Sequence, residues 1–126
     1  MNVMLARFVD GGWEAPRKFL SVSDPMASEH APVLSADENK MYFTRRFDPD
    51  GAEGGFVFPS RSSDVYFTYR TSKVEPFATP IRIDELARSD RGEQAMWLSP
   101  DQCRLYLQIV GPDPNGWDLY VAERTP

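Results

Sequence analysis

The chain has one cysteine, Cys103, and one histidine, His30, among 126 residues. A single cysteine excludes an intrachain disulfide and a cysteine-rich zinc site, and a single histidine excludes a histidine-rich metal centre. Cys103 sits in an apolar strand pattern, where a buried and inert thiol is expected. No stretch reaches the ~20 apolar residues that a membrane-spanning helix needs. Positive charge is scarce and scattered: fourteen bases against nineteen acids give a net charge of -5, and Arg17-Lys18 and Arg45-Arg46 are the only adjacent basic pairs. Phosphate backbones reward clustered positive charge, so no nucleic-acid partner is expected. A phosphate loop, a nucleophile elbow and a Rossmann glycine pattern are all missing, and no cofactor is expected. The first residues, "MNVMLARFVDGG", lack the basic start, apolar run and small-residue cleavage site of a secretory signal. A cytoplasmic location is the default, replaced by a periplasmic or extracellular one if the chain is a piece of an exported protein.

What the chain does have is repetition. "SADENKMYFTRR" begins at Ser35 and "SPDQCRLYLQIV" at Ser99, 64 positions later. The same offset pairs Glu29 with Glu93, Ala31 with Ala95, Leu34 with Leu98, Asp37 with Asp101 and Tyr42 with Tyr106. A second phrase, "SDVYFTYR" at 63–70, returns as "WDLYVAER" at 117–124, and a worn copy, "NVMLARF", opens the chain at Asn2. Fixed-period self-similarity of this kind marks a repeat architecture.

Each unit reads as β. "KMYFTRR", "RLYLQIV", "DVYFTYR" and "DLYVAER" are rich in aromatic and β-branched residues, and "TPIRIDEL" alternates apolar and polar positions. Eleven prolines argue against long helices. The shared Ser-x-Asp phrase has a structural explanation. The short polar side chains of Ser35 and Asp37, or Ser99 and Asp101, accept hydrogen bonds from nearby backbone N–H groups and close a hairpin.

The stretches "EHAPVLSADENKMYF…SDVYFTYR" and "EQAMWLSPDQCRLYL…WDLYVAER" resemble the TolB-like (WD-repeat-like) β-propeller repeat. Its hairpin is Pro-x-x-Ser-Pro-Asp-Gly followed by an apolar strand and then an Asp-apolar-Tyr-apolar strand. The resemblance covers nearly the whole chain. It implies an all-β fold of antiparallel four-stranded propeller blades: about two blades after a partial leading one. Residues 1–20 would be the remnant, 29–84 the first blade with a long loop at 46–63, and 93–124 the second. Inner strands are expected near 31–35 and 95–98, second strands near 40–46 and 104–110, third strands near 64–70 and 117–122, and an outer strand near 79–84. Residues 2–8 and 15–19 would be the third and outer strands of the preceding blade. A closed propeller has four or more blades. The chain is then a fragment, an open stack, or a unit whose copies associate to complete a ring. Two departures touch the turns. Glu38 and Gln102 replace the repeat's glycine, so either the left-handed turn residue is strained or a neighbour such as Asn39 supplies that conformation instead. Ala36 and Met96 each replace a proline.

Binding is expected on the face where the second-to-third loop and the outer-to-inner connection emerge, since long loops on a rigid scaffold commonly carry it. Glu29, His30, Arg45, Arg46 and Glu93 fall there, with Phe56 and Phe58 at the apolar tip of the long loop, where they either grip a partner or fold back onto the blade. Asp48, Asp50 and Glu53 offer hard oxygens around Gly51, a weak calcium pattern whose plainer reading is a solvated acidic loop. Glu29 and Glu93 could face one channel as an acid–base pair on a glycoside, although repetition alone accounts for both. Trp97 and Trp117 read as blade packing. The function expected from these features is a non-catalytic scaffold that binds a protein or small ligand on its loop face. The alternative is part of a propeller hydrolase acting on glycans or peptides, its active site completed by other blades.

Overall fold

The computed structural model describes residues 2–47, 63–110 and 116–125. They form an all-β structure in the order β1 (Met4–Leu5), β2 (Phe8–Val9), β3 (Gly12–Trp13), β4 (Arg17–Lys18), β5 (Ala27–Leu34), β6 (Lys40–Phe47), β7 (Ser63–Tyr69), β8 (Ile81–Arg82), β9 (Gly92–Leu98), β10 (Arg104–Val110) and β11 (Trp117–Glu123), with one 3-10 turn at Leu20–Val22. β5-β6-β7-β8 make a four-stranded antiparallel meander, and β9-β10-β11 a three-stranded one. β1 pairs with β4, so the two strands expected in the leading remnant do meet. Between them lies a hairpin, β2–β3, whose two-residue loop is Asp10-Gly11. Both loop residues have positive φ, 51° and 81°, which is the geometry that suits the twist of a two-residue hairpin.

The Ser-x-Asp phrase builds the same turn twice. In the first copy the Glu38 N–H donates to the Ser35 carbonyl at 2.8 Å, and Ser35 Oγ accepts the Lys40 N–H at 2.9 Å and donates to Asp37. Asp37 Oδ1 then accepts the Asn39 N–H at 3.1 Å. Ser99, Asp101, Gln102, Cys103 and Arg104 repeat the pattern. These bonds stabilise the ionised carboxyls and hold the pKa values of Asp37 and Asp101 below the usual aspartate range, the serine hydroxyl contributing most. Cys103 therefore stands half-buried in a turn, not buried in a strand.

The left-handed residue is Glu38 (φ 58°) in one turn and Gln102 (φ 60°) in the other, not Asn39. Each carries the strain that a Cβ brings to that conformation. The Glu38 carboxylate recovers part of this through Lys73 (3.2 Å) and Arg70 (3.9 Å), but Lys73 and Glu38 are largely exposed, and such pairs contribute little. Glu38→Gly is therefore expected to raise the unfolding free energy by about 0.5–1 kcal/mol, measured by urea denaturation.

A β-bulge also recurs. In the first sheet His30 faces Thr44 and Val33 faces Tyr42, leaving Ala31 and Pro32 opposite Phe43. In the second, Ala95 faces Leu107 and Trp97 faces Tyr106, leaving Met96 over. Ala31 takes φ 50° at this bend. The bulge frees the Ala95 N–H to donate to Thr44 Oγ of the first sheet at 3.2 Å, a buried bond between the two sheets.

Strand alternation gives the four-stranded sheet two apolar faces, and both are covered. Met41 and Phe43 meet Val3, Phe19, Val22 and Phe77, so the leading segment lies on one side. Val33, Tyr42 and Val65 meet Ala95, Leu98, Leu105 and Leu107, so the three-stranded sheet lies on the other. The result is a stack: leading segment, four-stranded sheet, three-stranded sheet.

Candidate functional site

β5 and β6 run antiparallel with Glu29 directly opposite Arg45, which places both side chains on the Phe43 side of the sheet. Glu29 is fully buried and Arg45 is 8% exposed. Arg45 Nη2 donates to the Val22 carbonyl at 2.8 Å. Its Nε lies 3.3 Å from Glu29 Oε1, an ion contact without hydrogen-bond alignment. Oε1 instead accepts the Asp24 N–H at 2.9 Å. The guanidinium also lies over the rings of Tyr66 (4.7 Å) and Phe43 (5.5 Å), which favour a cation on their faces. Glu29 and Arg45 thus clamp the 20–26 segment onto the sheet, and each relies on the other to offset the cost of its own burial.

Glu93 occupies the same place in β9 and is also fully buried. Its partner across β10 is Ile109, not an arginine. Neither carboxyl oxygen makes a well-aligned hydrogen bond among the described residues, although the backbone N–H groups of Arg88 and Glu93 lie near. Burial is the main reason that its pKa rises to about 7, and the charge of Asp64 on β7 pushes the same way. The N–H groups and charge around Arg88 and Glu93 offset this only in part. Asp64 is itself raised, chiefly by burial, and Arg82 at 3.8 Å eases it.

His30 is 9% exposed opposite Thr44, and burial first, then Arg46 among others, lowers its pKa to about 4. Arg46 is half-buried opposite Ser28 and Ser63. Glu29, His30, Arg45, Arg46 and Glu93 therefore do share one end of the sheets, the end at which β6 stops and β7 starts. As placed, the two glutamates are interior groups. Asp48, Asp50, Glu53, Phe56 and Phe58 lie outside the described residues. Among the described residues no cluster of three metal-ligating side chains occurs, and no helix is long and apolar enough to cross a membrane. At the opposite, hairpin end a cleft of about 330 Å³ opens between the sheets, with Tyr42, Leu86, Leu98, Leu105 and Arg124 in its walls and Cys103 at its rim.

One surface feature was not singled out by sequence reasoning. In β10, Leu105 and Leu107 point into the core, so Tyr106 and Gln108 point away. Their cross-strand partners Trp97, Val121 and Leu119 join them, as does Trp117 opposite Val110. Leu119 is 70% exposed, and Trp97, Val121 and Trp117 are each close to half exposed. The Trp97 and Tyr106 rings meet at 5.3 Å on this face. Trp97 and Trp117, read from the sequence as blade packing, thus lie on a sheet face that no other layer covers among the described residues. No family model, curated protein or solved structure matches the chain.

Proposed function

We propose that the chain is a segment of TolB-like β-propeller repeats that works as a binding module and performs no bond chemistry. The observation that carries this reading is the uncovered face of Trp97, Tyr106, Trp117, Leu119 and Val121. A contiguous apolar face rimmed by polar residues marks an interaction surface, and tryptophan and tyrosine supply much of the energy at such surfaces. The two-fold repetition of hairpin, bulge and buried glutamate supports the propeller-repeat assignment. Complete burial of Glu29 and Glu93 favours structural roles for both over an acid–base pair on a glycan.

Parallel affinity capture with the native chain and Leu119→Asp as baits tests the binding role. A protein retained by the native chain, lost with Leu119→Asp, and bound again when purified supports it. Identical retention by the two baits overturns it. Because Leu119 makes little contact with the rest of the chain, Leu119→Asp is expected to leave stability within about 0.5 kcal/mol.

A further inference from the structure

We infer that the uncovered face of the three-stranded sheet is the docking site for a second copy of this chain, joined head to tail. This rests on the binding-face reading above and names its occupant. One interface continues through the stack. Val3, Val65 and Leu119 occupy equivalent positions in the three copies of the third-strand phrase. Val3 is 4% exposed because the four-stranded sheet lies against it through Met41 and Phe43. Val65 is 1% exposed because the three-stranded sheet lies against it through Ala95, Leu105 and Leu107. Leu119 presents the same kind of face and is 70% exposed, with no layer packed on it among the described residues. At both covered positions the occupant is another β layer of this same chain. The surface therefore has the shape and chemistry of a contact that the sequence already makes twice.

The leading segment also exposes apolar side chains, beside the exposed Arg17 and Lys18 of β4. Met4, next to the inward-facing Val3, is 51% exposed, and Phe8 and Trp13 of the β2–β3 hairpin are 61% and 73% exposed, their rings meeting edge to face at 5.2 Å. The leading segment and the three-stranded sheet lie on opposite sides of the four-stranded sheet, so a copy has one apolar end to give and another to receive. Joining unlike ends is a heterologous contact, which closes into a ring or extends as a filament.

Light scattering on a sizing column across a wide concentration range is the first part of the test. The native chain is expected to exceed the mass of one chain, and Leu119→Asp to run as one chain with an unchanged far-UV circular dichroism spectrum, its association at least about tenfold weaker. Orientation is read in a Cys103→Ser background with a short bifunctional maleimide. Met4→Cys and Leu119→Cys are expected to cross-link when mixed and not when alone. A native chain that stays monomeric at every concentration overturns the proposal, and so does Leu119→Cys cross-linking to itself, which would mean tail-to-tail contact. A monomeric chain that still loses a captured partner on Leu119→Asp removes the second copy and leaves the binding-face reading standing.

Discussion

Arg45→Met is expected to lower the unfolding free energy by about 3–5 kcal/mol, because it leaves the fully buried Glu29 carboxylate without its cation. The same change releases the Val22 carbonyl, which Arg45 holds at 2.8 Å, and the cation contacts with Tyr66 and Phe43. A buried pair costs much to break and less to replace whole. Glu29→Gln combined with Arg45→Met should therefore recover a large part of the loss. The second repeat already carries an apolar residue at the equivalent place, Ile109. Urea denaturation of the two single variants and the double variant gives the coupling directly. A loss below about 1 kcal/mol for Arg45→Met would mean that Glu29 reaches solvent on its own.

Glu93→Gln should change how stability depends on pH. The folded pKa of Glu93, about 7, is raised above its ordinary value of 4.5 by burial. Below the lower value the carboxyl is protonated in both states. Between the two values the folded state keeps a proton that the unfolded chain releases, so the stability this group contributes falls as pH rises and is lost above about 7. Relative to the native chain, Glu93→Gln should gain on the order of 2–3 kcal/mol between pH 4 and pH 8. Any fixed cost of burying the amide cancels in that difference. His30 titrates in the opposite sense. Its folded pKa is lowered to about 4 from 6.5, so its contribution is present above the higher value and lost as pH falls through the lower. It acts equally in both proteins and drops out. Parallel pH dependences for the two would show that Glu93 finds water or a partner on folding.

The hairpins and strands were legible in the sequence because their causes are local. Ser35 and Asp37 bond to the backbone within five residues, as Ser99 and Asp101 do, and strand pairing follows from the aromatic runs beside them. Asp10-Gly11 was a hairpin signal of the same local kind, overshadowed by the resemblance of "NVMLARF" to a single longer strand. The sequence left open whether Glu38 or Asn39 takes the left-handed conformation. The Asn39 N–H is fixed by the Asp37 carboxylate, which leaves the preceding residue to make the bend. The contrast between Glu29 and Glu93 was also within reach. Carrying the repeat offset one strand further sets Arg45 against Ile109 and separates a paired carboxylate from an unpaired one. Alternation of side chains shows that Trp97 and Trp117 share a face, but not whether anything covers it. That depends on which layers pack together, a long-range property that no short phrase encodes.

The bond from Ala95 to Thr44 has a mechanical consequence. Apolar contact between two sheets is non-directional. A hydrogen bond is directional and weakens steeply once its donor angle closes. The Thr44 hydroxyl therefore acts as a detent, setting the slip between the sheets at one value while the surrounding side chains supply the adhesion. Its counterpart on the uncovered face is Gln108, whose longer amide can both donate and accept. A layer resting there would be gripped as firmly and indexed more loosely, so adjacent units could adopt a range of pitch that the interior of the chain does not allow.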